Sequence, residues 1–162
     1  MKTVIIENDK SLIEDMISAL KLRWPDCEYY STDQGREGID LADTTSPDLV
    51  ILGLEVPDIN GFEVIKEIRR ISTVPLVALS RIKDDPVMIV KALCYGADRF
   101  INKPFRMLEF LSRVNALLRR TNGEKVYQYD LDFGKVLSAS QSIKEAGQDK
   151  EEEQYQEAFS VN

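Results

Sequence analysis

Short apolar runs alternate with longer amphipathic stretches along the first 120 residues of this chain. The runs at 3–7, 28–31, 49–52, 75–79 and 98–102 have the length of strands, with near-continuous apolar character at 49–52. Between them, apolar positions recur at helical spacing and predict helices over 11–23, 34–43, 61–71, 84–95 and 107–120. Leu12, Ile13, Met16, Ile17, Leu20 and Leu22 fall close to one face of the first. Phe62, Val64, Ile65 and Ile68 do so in the third, and Leu108, Leu111, Val114, Leu117 and Leu118 form a stripe in the fifth. Strands apolar throughout, each followed by a helix, call for a parallel sheet covered on both faces. In such a sheet the loops after the strand carboxyl ends line one rim, where chemistry collects.

Beyond residue 121 the pattern changes. Residues 126–137 alternate enough to suggest one or two strands, and the stretch from Gln148 to Gln154 is polar and acidic. With 162 residues the chain suffices for one sizeable core, so the expected organisation is one domain over 1–121 and an extension over 122–162. That extension reads as a linker or the start of an effector domain followed by an acidic, disordered tail.

Charge narrows the partners. Residues 1–120 are nearly balanced, whereas residues 121–162 hold 4 basic and 9 acidic side chains, which gives the tail no attraction for a phosphate backbone. Cys27 and Cys94 are too few for a disulfide framework, and each lies in or beside an apolar run, so both are expected to be buried reduced thiols. Histidine is absent, which removes Ser-His nucleophile pairs and a phosphohistidine shuttle. No run is long enough to span a bilayer or to form a signal-peptide core, so a cytoplasmic chain is expected, with no membrane contact.

The rim loops carry the chemistry. After the first strand comes Glu7-Asn8-Asp9, after the third Gly53 and the turn Pro57-Asp58-Ile59-Asn60-Gly61, after the fourth Ser80, and after the fifth Lys103-Pro104-Phe105. Over about residues 2–120 this series resembles the receiver domain of two-component response regulators, with the flavodoxin-like (CheY-like) strand order 2-1-3-4-5. The resemblance implies an acidic, metal-holding pocket at Glu7, Asn8 and Asp9, phosphoryl contacts from Ser80 and Lys103, and a switch aromatic at Phe100. It places the phosphate-accepting aspartate at Gly53, which has no side chain to accept anything.

Each of these residues also has a plainer reading. Ser80 serves equally as a strand-end hydroxyl, Lys103 as a turn lysine, Phe100 as core, Asp58 as a turn residue and Glu55 as a solvated loop carboxylate. Asp48 lies at the opposite end of its strand and cannot replace the missing acid. Without a carboxylate at 53, Lys103 is expected to pair with Glu7. No cofactor is expected; magnesium would have only Glu7, Asp9 and the Glu55 carbonyl to hold it, and Asn8 brings no charge to the set.

The fifth helix is similar to that of the OmpR/PhoB-type transcription regulators, which implies a homodimer through the fourth helix, fifth strand and fifth helix. Arg99, Glu109 and Arg113 would lie on that face, and Glu109 and Arg113 are spaced either to bond each other or to reach across it. Arg99 and Cys94 depart from the aspartate and glutamate common there.

Taken together, the residues point to a pseudo-receiver, not an enzyme, that takes no phosphate at the usual site and acts through protein contacts, its sensor kinase or other partner unspecified. The competing reading is a phosphorylation-independent transcription regulator with a truncated or missing winged-helix domain. A switch using another acid is the third. No DNA binding by this chain alone is expected, since no helix with a basic reading face is visible. Restoring an aspartate at 53 is expected to permit phosphoryl labelling, provided Glu7, Ser80 and Lys103 form a competent pocket.

Overall fold

The computed structural model describes residues 1–81 and 85–121. They form strands β1 (Lys2–Ile6), β2 (Glu28–Thr32), β3 (Leu49–Gly53), β4 (Leu76–Ser80) and β5 (Arg99–Asn102). The helices are α1 (Lys10–Arg23), α2 (Gly35–Thr45), α3 (Gly61–Ile71), α4 (Pro86–Tyr95) and α5 (Met107–Thr121). The strands pair in parallel in the order β2-β1-β3-β4-β5. The expected doubly wound, flavodoxin-like topology is therefore present. The predicted strands at 126–137 and the acidic tail lie outside the described residues.

Burial explains the order. Every residue of β3 and β4 is buried, as a central strand with helices on both faces requires, while β2 and β5 at the edges are only partly so. Val4, Val50 and Leu76 are aligned across three strands and share one core with Val64, Ile65 and Ile68 of α3. Three helices begin on side-chain caps: Asp9 accepts from the Leu12 N–H, Asn60 from Phe62 and Asp85 from Val87. Gly96 ends α4 at φ 116°, the left-handed region a glycine enters without strain.

Arg69, near the end of α3, ties the far side of the sheet together. Its guanidinium donates to the carbonyls of Gly96 and Val74, both at 2.7 Å, and pairs with Asp98 at 2.8 Å. Asp98 in turn accepts the Leu76 N–H that opens β4.

One expectation fails. Cys27 is buried, 3.3 Å from the Thr3 hydroxyl, but Cys94 is exposed. The apolar run around it belongs to α4, of which only Ala92 is buried, while Val87, Val90 and Leu93 face outward. A helix apolar around most of its circumference gives no period from which to choose its inner face. Among the described residues no helix is long and apolar enough to cross a membrane.

Candidate functional site

β1, β3, β4 and β5 end side by side, so the residues that follow them converge. Glu7 leaves β1 pointing inward and is 1% exposed. Its Oε1 accepts the N–H groups of Asn8 and Asp9, at 3.0 and 3.2 Å. Its Oε2 lies 2.6 Å from the ammonium of Lys103, itself only 6% exposed. This ion pair joins residues 96 positions apart and is sealed from solvent.

Gly53 is what leaves room for it. A Cβ placed on Gly53 would lie 2.9 Å from the Glu7 Cδ and nearer still to Oε2, closer than side chains pack. The carboxylate of Glu7 thus fills the volume that any side chain at 53 would enter. Here the expectation for a restored aspartate changes: a carboxylate at 53 meets another already held by Lys103, and the Glu7 side chain has to shift to admit it.

Glu55 departs from its predicted role. It is not a solvated loop carboxylate but turns inward over the rim. Its Oε1 accepts from the Ser80 hydroxyl at 2.6 Å and the Arg81 N–H at 2.9 Å, and its Oε2 lies 3.4 Å from Lys103. Burial would raise its pKa, but the Ser80 and Arg81 hydrogen bonds and the Lys103 charge outweigh that and hold the carboxyl below the usual glutamate range. Its backbone carbonyl accepts from the Asn8 side-chain amide at 2.9 Å. Asn8 therefore supplies a donor where an aspartate would supply a charge. Arg81 closes the front of the pocket by pairing with Asp9 at 3.0 Å.

A depressed carboxyl stabilises the fold only while ionised. The contribution of Glu55 is complete above its unfolded pKa of about 4.3 and is lost as pH falls through its lower folded value. The stability difference between the wild type and Glu55→Gln is accordingly expected to be largest near neutrality and to shrink in acid. Urea midpoints measured from pH 7 down to pH 3 would show it, and a difference that grew in acid would contradict the assigned hydrogen bonds.

As arranged, the donor set does not fit a magnesium ion. The Glu7 oxygens are committed to Lys103 and two amides, the Glu55 carbonyl to Asn8, and the Asp9 oxygens to Arg81 and the Leu12 N–H. A hard cation would have to displace two positive side chains from the ligands it needs.

The remaining candidates sit elsewhere. Asp58 is more than a turn residue: it accepts the N–H groups of Gly35 and Arg36, at 2.6 and 2.9 Å, and so caps α2 from the loop before α3. Those backbone bonds, Arg36 foremost, hold its carboxyl low. Phe100 is half-buried and packs against the core. Lys103-Pro104 is cis. Glu109 and Arg113 pair with each other along α5 at 2.7 Å, and Arg99 donates to the carbonyl of Asp98. Sequence reasoning passed over Arg81; its place directly after Ser80, at a strand end on the rim, was the one signal for it.

The sequence profile of the response regulator receiver domain matches residues 3–115. The chain belongs to the response-regulator receiver family. It is 34% identical over 128 residues to the cell cycle response regulator CtrA of Brucella ovis, a match covering 76% of this chain and 52% of CtrA. This receiver chain thus spans about half the length of the curated relatives it matches. A two-component response regulator from Clostridium difficile superposes with a TM-score of 0.70 at 27% identity, over 75% of this chain and 98% of that one. A DNA-binding response regulator of the LuxR family from Staphylococcus aureus does so with 0.64 at 27% identity, over 72% and 98%. A CheY-like receiver from Methanospirillum hungatei, at 18% identity and a TM-score of 0.68, shares the fold. The receiver domain is a signalling module of two-component systems, and the rim described above is its carboxyl-end crevice.

Proposed function

We propose that this chain is a pseudo-receiver: a response-regulator domain that takes no phosphoryl group and acts through protein contacts. The observation that carries the reading is the close packing of Glu7 against Gly53. A phosphoryl acceptor must present a carboxylate oxygen in line with an incoming donor. Position 53 has none, and Glu7, the nearest carboxylate, is buried with both oxygens engaged. Glu55, a second carboxylate on the rim, is bound to Ser80, Arg81 and Lys103. The donor set, committed to side chains of its own, also argues against a magnesium requirement.

Contact with a partner has its own support. Val87, Val90 and Leu93 recur every third residue on the exposed side of α4, and Val87 is 70% exposed. This apolar stripe belongs to the α4-β5-α5 face on which a homodimer is expected. Sedimentation of the wild type against Val90→Glu tests that pairing, which predicts a dimer weakened by the buried charge; a wild type monomeric at all concentrations removes it. No binding of duplex DNA by this chain alone is expected.

Phosphoryl transfer is tested directly. Incubation with acetyl phosphate and magnesium followed by intact-mass measurement is expected to leave the wild-type mass unchanged. A mass gain of one labile phosphoryl group defeats the proposal.

A further inference from the structure

We propose that α4 is fastened to α3 by a crossed pair of ammonium–ring contacts, and that the charges of Lys66 and Lys91 thereby set the orientation of the exposed stripe on α4. Lys91, on α4, places its Nζ 4.4 Å from the centre of the Phe62 ring on α3. Lys66, on α3, places its Nζ 4.3 Å from the centre of the Tyr95 ring on α4. The two rings meet edge to face at 5.9 Å, so each helix gives the other one ring and one cation. An ammonium over an aromatic face is attracted by the ring quadrupole, and more strongly as water is withdrawn. Phe62 is buried, and both lysines are half-buried.

Burial alone gives α4 little hold. Of its ten residues only Ala92 is buried, and a single methyl removes little area from water. Met88 and Tyr95, four residues before and three after Ala92, lie on the same side and are partly buried against the core. The side of α3 that meets them is a stripe of its own: Phe62, Lys66 and Arg69 recur at i, i+4 and i+7. Arg69 donates to the carbonyl of Gly96, the residue that ends α4, and a Cβ on Gly96 would lie 2.6 Å from the Arg69 Cγ. Three residues of α3 thus hold the carboxyl half of α4, two of them through charge. Val87, Val90 and Leu93 ride on the exposed side of the helix so held. Lys66 and Lys91 are therefore positioning residues, which fix a contact surface from behind without being part of it.

The role given to the stripe rests on reading it as a contact surface, but the fastening itself does not. The test is native-state amide hydrogen exchange along the full chain, read residue by residue. Lys66→Met and Lys91→Met keep the aliphatic stem and remove the charge, and each is expected to speed exchange of the α4 amides by about threefold to tenfold while α1 and the central strands stay unchanged. Lys66→Arg and Lys91→Arg put a cation back over the ring, and should return those amides to within about twofold of the wild type. Lys66 also pairs with Glu63 at 2.8 Å, so Glu63→Gln separates that ion pair from the ring contact and is expected to leave α4 exchange as it was. Unchanged α4 amides in both methionine variants overturn the proposal, as does a rise spread evenly over the whole chain. Arginine variants that exchange as fast as the methionine ones overturn it too, and so does a rise in Glu63→Gln equal to that in Lys66→Met. The two readings fail separately: sedimentation decides whether the stripe pairs two copies, whereas exchange in a chain that pairs with nothing still reports how α3 holds α4.

Discussion

Replacing Lys103 with methionine is expected to lower the unfolding free energy by about 3–5 kcal/mol, a fall of about 2 M in the urea midpoint. The reason lies in what remains. Glu7 is 1% exposed and turned away from water, and its Oε2 has Lys103 at 2.6 Å. Removing the ammonium leaves a buried carboxylate facing a methionine tail, and it must either protonate or drag solvent inward. Glu55 loses its neighbour at 3.4 Å as well, but it keeps Ser80 and Arg81, so most of the cost falls on Glu7. Replacing both members, Glu7→Leu with Lys103→Met, should recover much of the loss, because an apolar pair needs no compensation. A loss below about 1 kcal/mol for Lys103→Met, the range of exposed pairs, would mean that the pair is not sealed as described.

The second large effect concerns Gly53. Gly53→Asp is expected to destabilise by about 1–3 kcal/mol, since it overpacks a buried site and sets two like charges side by side. The Cβ alone comes within 2.9 Å of the Glu7 Cδ. The carboxylate can instead be moved from one strand to the other. In Glu7→Ala with Gly53→Asp the site again holds one acid beside Lys103, and at least about half of the lost stability should return. Chemical unfolding of the two single variants and the double variant closes the cycle. Additive effects would show that the two positions do not share one volume.

These predictions rest on features that differ in how plainly the chain displays them. The sheet was legible because β3 and β4 are apolar along nearly their whole length, a pattern set by burial on both faces, while its strand order was implied by the resemblance to receiver domains. α3 was legible to the residue, with Asn60 and Gly61 marking its start and Phe62, Val64, Ile65 and Ile68 its inner face. The pairing of Lys103 with Glu7 could be anticipated, because both follow strand ends on the same rim. The direction of Glu55 could not. Its partners lie 25, 26 and 48 residues away, and nothing within its own loop distinguishes an inward carboxylate from a solvated one. Asp58 was hidden in the same way, since the helix it caps lies 22 residues back. Cys94 was misread because α4 offers apolar residues on more than one side.

The interlocking of Glu7 with Gly53 also bears on how such a chain descends. Two of the four glycine codons become aspartate codons by a single base change, and from those the acid would arise in one mutational step. That step lands on a weakened protein unless position 7 has already changed, and a change at position 7 alone strips Lys103 of its nearest counter-charge. The two positions are thus tied together, and a substitution at either is expected to be tolerated best when the other changes with it.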